Sequence, residues 1–261
     1  MDLRLPTGLA TPYKSPSQKA RVTTEAWAAS HLACPSCGSR LRALSANTKS
    51  IDFRCLACDE PFQLKSQSKP FPKRLLGAEY KTTLHAVRSG THPSVILLRY
   101  EPSGMTVQDV EVIHRSWITE SAIVPRKPLK PSARRAGWQG CSLALDRIPT
   151  PARIAVVSHE HPLAIREIRD QWHTARRISS SSVTSRGWLA DVLAVVDRLG
   201  VEFSLDEVYA HESTLARLHP QNRHILPKIR QQLQVARDIG VVEFLGRGSY
   251  RRVQSRSLEA A

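Results

Sequence analysis

This 261-residue chain is marked first by what it does not contain. No apolar run is long enough to cross a bilayer, which excludes a helical membrane protein. The opening MDLRLPTGLA holds no apolar stretch of the kind a secretory signal needs, so a cytoplasmic, reducing location is expected. No segment repeats along the chain, which excludes solenoids and propellers. The aromatics, 6% of residues, form no clusters of the sort that stack unpaired bases, which argues against a reader of single-stranded RNA. Acids are missing altogether from Ser121 to Leu145, although 23 occur in the chain. Cysteine is scarce, at five residues, and four of the five fall into two pairs.

Those pairs are Cys34-Pro35-Ser36-Cys37 and Cys55-Leu56-Ala57-Cys58, with seventeen residues between them. A two-residue gap lets both thiolates of a knuckle reach one tetrahedral ion, and the loop brings the second knuckle round to close the site. One structural zinc ion per chain is expected. Two disulfides are the alternative, weakened by the unpaired Cys141 and by the expected reducing compartment. With four thiolates completing the site, His85, His92, His114, His159 and His161 are expected to play no part in metal binding.

Between and after the knuckles, Ile51-Asp52-Phe53 and Pro61-Phe62-Gln63-Leu64-Lys65 read as two short strands. Residues two apart on a strand share a face, so Gln63 and Lys65 point the same way, toward Asp52 if the strands pair. A carboxylate, a second oxygen ligand and a lysine at one strand end suit metal-dependent phosphodiester hydrolysis. The bare spacing D-x10-Q-x-K is weak, and ordinary solvated polar residues would give it too. Glu25, on an expected N-terminal helix, is either a further acid for that site or an exposed helical charge.

Charge is the other strong signal. The chain carries 38 Lys+Arg against 23 Asp+Glu, a formal +15. Residues 1–181 hold 27 basic and 14 acidic residues, and residues 182–261 hold 11 and 9. The excess therefore sits in the first part, densest in the acid-free run with Arg126, Lys127, Lys130, Arg134 and Arg135. Such charge displaces counterions from phosphates, although RNA, acidic proteins and membrane surfaces attract it too. Trp138 lies inside the run between glycines, and is either an apolar ring surface offered to a methyl group, as apolar side chains do for the thymine methyl, or a core anchor.

Buried strands are expected over Val95–Tyr100, Val107–Ile113 and Ile154–Val157, and a helix over Pro162–Ile178. Helices mixed with strands make the fold α/β. The serines at 179–182 read as a linker. Beyond them come a helix over Trp188–Leu199 and a second from a Ser204/Glu207 capping box to about Leu218. A third follows from Ile225, with Pro227 in its first turn, to Asp238, and then a hairpin with Gly246-Arg247-Gly248 at its tip. Three helices and a basic wing make a winged helix, a fold used both for DNA and for protein partners. If it reads DNA, Asn222, Arg223, His224, Lys228, Arg230, Gln231 and Gln234 face the groove and Arg247 and Arg251 the phosphates. The domains are expected at 1–181 and 182–253, with a frayed tail at 254–261.

Five separated stretches, in order, carry a resemblance spanning roughly residues 12–253. They are Tyr13-Lys14-Ser15 with Ser17-Gln18-Lys19-Ala20-Arg21, Thr24-Glu25 and Trp27; the two cysteine pairs around Asp52; RKPLKPSARRAGWQGC from Arg126; Ser185-Arg186-Gly187-Trp188; and KIRQQLQ from Lys228. The chain resembles the DpnI-like, or Dam-replacing, family of methylation-dependent type II restriction endonucleases. That resemblance implies a bacterial PD-(D/E)xK nuclease domain with the zinc site, joined to a winged helix, both reading adenine-methylated GATC in duplex DNA. It makes Asp52 the metal-binding aspartate and Lys65 the catalytic lysine, with Mg2+ or Mn2+ as the catalytic ion and a monomer as the working form. Gln63 departs from the pattern, which has glutamate there. An amide carbonyl can still ligate a divalent ion, more weakly, and the alternative is a reader of methylated DNA that no longer cuts.

Overall fold

The computed structural model describes residues 1–45 and 50–253; the expected tail lies outside the described residues. The elements of the first half are α1 (Pro16–His31), β1 (Leu41–Ala43), β2 (Phe53–Cys55), β3 (Pro61–Gln67), β4 (Arg74–Glu79), α2 (Tyr80–Arg88), β5 (Ser94–Glu101) and β6 (Thr106–Ile113). Then come β7 (Ile123–Pro125), β8 (Gly140–Ala144), β9 (Arg153–Ser158), β10 (His161–Pro162), α3 (Ile165–Arg176) and α4 (Val183–Val196). The chain continues with β11 (Glu202–Ser204), α5 (Leu205–Tyr209), α6 (Glu212–Leu218), α7 (Ile225–Asp238), β12 (Val242–Gly246) and β13 (Ser249–Arg252). The fold is mixed α/β, as expected, and among the described residues no helix is long and apolar enough to cross a membrane.

Contacts divide the chain into two compact units that do not follow chain order. The first takes Met1–Pro72, Thr91–Arg115 and Arg153–His173; the second takes Lys73–Gly90, Ser116–Ala152 and the chain from Thr174 on.

The first unit is built on a seven-stranded sheet in the order β1-β2-β3-β5-β6-β9-β10. Val95 to Leu98 on β5 are all buried, the continuous apolar run of a strand covered on both faces. On β6, Val107, Val110, Val112 and Ile113 are buried while Gln108, Asp109 and Glu111 are half-exposed; the step of three from Val107 to Val110 falls where the pairing with β5 shifts register. Only β3 and β5 run parallel, from Phe62 opposite Ser94 to Gln67 opposite Arg99. Phe53, Phe62, Leu98, Ile113 and Ile154 fill the core with Trp27 from α1 and Trp172 from α3. The indole of Trp27 donates to the Asp2 carbonyl at 2.9 Å, and Thr24 shares a 2.9 Å hydroxyl hydrogen bond with Ser66 on β3, fastening α1 along that strand.

The second unit carries a β4-β8-β7 sheet and, after it, the winged helix. Ser182, the end of the expected linker, caps α4 by accepting from the Ser185 N–H at 3.1 Å. The Ser204/Glu207 capping box forms with both of its hydrogen bonds. The single helix expected to follow it is broken at His211, whose φ of −94° and ψ of 10° leave helical geometry, giving α5 and α6. α7 runs as expected: Ile225, Ile229, Leu233 and Ala236 make its buried face, and Gly240 closes it at φ 77°. β11 adds a third strand to the wing, in the order β11-β13-β12. At the wing tip Gly246, Arg247 and Gly248 all take positive φ, which is why glycine flanks the arginine.

Asp191 is the misfit in the apolar helix α4, at 2% exposure. Its carboxylate accepts from the Ser121 hydroxyl at 2.7 Å and pairs with His219 Nε2 at 2.9 Å, while the His219 ring stacks on Trp188 with centroids 3.8 Å apart. A buried carboxylate survives only with such partners. Asp191→Ala removes the acceptor that both share and is expected to cost about 3 kcal/mol. A thermal melt should show a midpoint roughly 6–12 °C lower.

Candidate functional site

The two cysteine knuckles repeat one backbone geometry. In each, the N–H four residues after the first cysteine donates to that cysteine's carbonyl: Gly38 to Cys34 at 2.8 Å, and Asp59 to Cys55 at 3.2 Å. Each first cysteine in turn donates to the residue five on, Cys34 to Ser39 at 2.8 Å and Cys55 to Glu60 at 3.0 Å. The fourth residue takes positive φ in both, 80° at Gly38 and 57° at Asp59, which turns the chain back and points both thiols inward. The four sulfurs lie within 4.8 Å of one another, with Cys34–Cys58 at 3.6 Å and Cys37–Cys55 at 3.3 Å. A tetrahedron with sulfur about 2.3 Å from its ion has edges of about 3.8 Å, so the set could hold a metal ion such as zinc. All are free thiols, and no disulfide joins them. Burial pushes the Cys34 thiol up, so a cation is needed to keep all four ligands as thiolates.

The same turn carries the candidate active site. β2 pairs antiparallel with β3, Phe53 opposite Phe62, and Asp52 stands one residue before β2 instead of within a strand. Its N–H donates to the Phe62 carbonyl at 2.8 Å, and its carboxylate Oδ2 accepts from the Leu64 N–H at 2.7 Å. These two contacts bracket Gln63, so the carboxylate is fixed beside that residue. Lys65 follows two positions along β3 on the Gln63 face, and all three side chains are half-buried. Glu25 reaches the same end of the sheet from α1: burial raises its carboxyl pKa, Arg21 at 3.2 Å lowers it, and the charge of Asp52 raises it. His92 was given no role by the sequence. Burial lowers its pKa, the hydrogen bond of Nδ1 with the Pro93 carbonyl at 2.7 Å opposes this, and the charge of Lys65 lowers it further.

The basic run forms an arm between β7 and β8. Arg126, Lys127, Lys130, Arg134 and Arg135 are all exposed on it. Leu129 donates to the Trp138 carbonyl at 2.9 Å and Gly137 to the Leu129 carbonyl at 3.1 Å, so the arm closes on itself. Trp138 is half-buried and not a core residue. On the winged helix Arg223, His224, Arg230, Gln231, Gln234 and Arg247 are exposed, and Asn222 and Lys228 half-exposed. Asn222 Oδ1 accepts from the His224 N–H at 2.7 Å at the entry to α7, and Lys228 Nζ donates to Gln231 at 2.7 Å. Arg251 is already engaged, with Glu202 at 2.8 Å and Glu243 at 3.3 Å, so part of its charge is spent within the wing.

A model of the Dam-replacing family matches residues 1–181, and one of the Dam-replacing HTH domain matches residues 184–252. The chain belongs to the Dam-replacing family. Its members are restriction endonucleases with a C-terminal DNA-binding helix-turn-helix, so the exposed face of α7 belongs to a DNA-binding module and the protein to a family of nucleases. Within the Dam-replacing frame the first unit holds Asp52, Gln63 and Lys65, while Trp138, the basic arm and α7 fall in the second. Sequence reasoning reached Glu25 only as an option, and the nearness of His92 to Lys65 was out of its reach, because the proximity of each to the strand pair depends on packing and not on spacing.

Proposed function

We propose that this protein is a bacterial, cytoplasmic type II endonuclease that cuts duplex DNA at adenine-methylated GATC as a monomer, with domains at 1–181 and 182–253. The observation that carries the reading is the Asp52 carboxylate pinned beside Gln63 on β3, with Lys65 two residues further on the same face. Asp52 and the Gln63 carbonyl oxygen fit a hard divalent ion, Mg2+ or Mn2+, which supplies phosphate polarisation and an acidified water when bound. Lys65 donates a positive charge at the scissile phosphate and orients the attacking water. The backbone N–H of Leu64 holds the Asp52 carboxylate in place for both partners. The ion in the four-cysteine site is zinc and serves structure alone, since four thiolates leave no open position. Trp138 offers its ring to the N6-methyl group, and the arm and α7 supply phosphate and base contacts.

The test is digestion of fully methylated, hemimethylated and unmethylated GATC plasmid in Mg2+ and then Mn2+, with Trp138→Ala beside the parent. Cleavage confined to methylated DNA, with the preference lost in Trp138→Ala and the melting curve unchanged, is the expected result. Equal cutting of all three substrates by the parent sinks the proposal. Gln63 favours a second reading, a methyl reader that binds and does not cut. Methyl-selective binding without cleavage in either metal would establish it.

A further inference from the structure

Gly140 stands in β8, the middle strand of the β4-β8-β7 sheet, opposite Glu79 on one side and accepting from the Arg126 N–H at 2.9 Å on the other. Its φ lies outside the left-handed region, so the backbone there does not demand glycine. Space does. A Cβ at this position would lie 2.9 Å from Cη2 and 3.0 Å from Cζ3 of Trp138, at or inside the shortest distance a real Cβ contact reaches. The indole edge occupies the volume a side chain would take, the use of glycine in a strand that another group approaches closely. The Arg135 guanidinium carbon sits 5.0 Å from the centroid of the same ring, within cation–π range. The backbone is held as well, with the Trp138 N–H donating to the Arg135 carbonyl at 3.1 Å.

We propose that Gly140 and Arg135 are positioning residues for Trp138, fixing its ring on the sheet so that methylated and unmethylated adenine can be told apart. The inference rests on the reading of Trp138 given above. One methyl group in an apolar contact is worth on the order of 10- to 200-fold in discrimination. That factor is realised only if the ring cannot swing away. Arg135 on this view acts on the ring and not mainly on phosphate, which sets it apart from its neighbours on the arm.

Two readouts test this on the full-length, zinc-loaded protein. The first is the affinity ratio for methylated over unmethylated GATC duplex, measured in Ca2+ to hold off cleavage. The second is acrylamide quenching of tryptophan fluorescence, which reports on Trp138 because Trp27, Trp117, Trp172 and Trp188 are buried. Gly140→Ala is expected to change the quenching and cut the ratio at least tenfold; Arg135→Ala is expected to do the same more weakly, with partial rescue by Arg135→Lys. A phosphate role for Arg135 would instead weaken both duplexes together and leave the ratio intact, which overturns its part. If Gly140→Ala fails to fold, an unchanged ratio and quenching in Arg135→Ala still overturns the inference. Trp138→Ala separates the two levels: if it abolishes the ratio while Gly140→Ala and Arg135→Ala leave it alone, the positioning inference alone falls. If Trp138→Ala keeps the ratio, the underlying reading falls with it.

Discussion

Asp52→Ala is expected to lower single-turnover cleavage of methylated duplex by at least about a thousandfold, the loss of roughly 4 kcal/mol of transition-state stabilisation. The magnitude follows from how little negative charge the site has. Gln63 is neutral and Glu25 is partly committed to Arg21, whereas the Asp52 carboxylate is fixed beside β3 by the Leu64 N–H. Removing it leaves an amide, a lysine and a Glu25 paired with Arg21, a set too poor in free negative charge to hold a divalent cation tightly. Gln63→Glu restores a second carboxylate next to the first and should raise Mn2+ affinity at least tenfold by titration calorimetry. Whether cleavage rises with it decides how far the native glutamine limits the rate. An Asp52→Ala protein that cuts like its parent would show that the reacting centre lies elsewhere.

Stripping the metal from the four-cysteine site should be more destructive still. Structural zinc contributes on the order of 10–16 kcal/mol to the folding of small sites, comparable to or larger than the whole stability of an ordinary domain, about 5–15 kcal/mol. Cys55→Ala, or a thiophilic chelator that spares Mg2+, is therefore expected to abolish the cooperative melt of the first unit. Cleavage should vanish with it, because Cys55 ends the strand that Asp52 precedes by one residue. Metal loss should also grow as the pH falls, since the ligands must be thiolates. Zinc content by mass spectrometry, followed alongside circular dichroism, checks both points. An apo protein with native circular dichroism would remove the ion from the folding argument.

Elements whose physics is local could be read from the chain. The knuckles, the Ser204/Glu207 box, Pro227 and Gly240 around α7, and the apolar run of β5 each carry their own signal. The three-residue strands β1, β2, β7 and β11 are too short to show a period of two, and β8 hides its five buried residues behind the basic arm. The site was legible in composition but not in assembly. The Gln63–Lys65 face follows from strand geometry, whereas the capture of Asp52 by the Leu64 N–H, 12 residues along the chain, had to be seen. Asp191 is conspicuous as an acid in an apolar helix, but its partners lie 70 and 28 residues away. Gly140 looks like any loop-edge glycine until the ring above it is placed.

The interleaving of the two compact units bears on synthesis. The last segment of the first unit ends at His173, whereas the second unit needs β12 and β13, close to the final described residues. A chain emerging from the ribosome can therefore finish the unit with the four cysteines while the one with the arm and the winged helix is still incomplete. During that interval Lys73–Gly90 and Ser116–Ala152 can already pair with each other as the β4-β8-β7 sheet, while the helices and strands from Thr174 on are still to join them. Nascent chains stalled once His173 has left the tunnel would thus carry Asp52, Gln63 and Lys65 in a complete unit while α7 and the wing are still to be assembled.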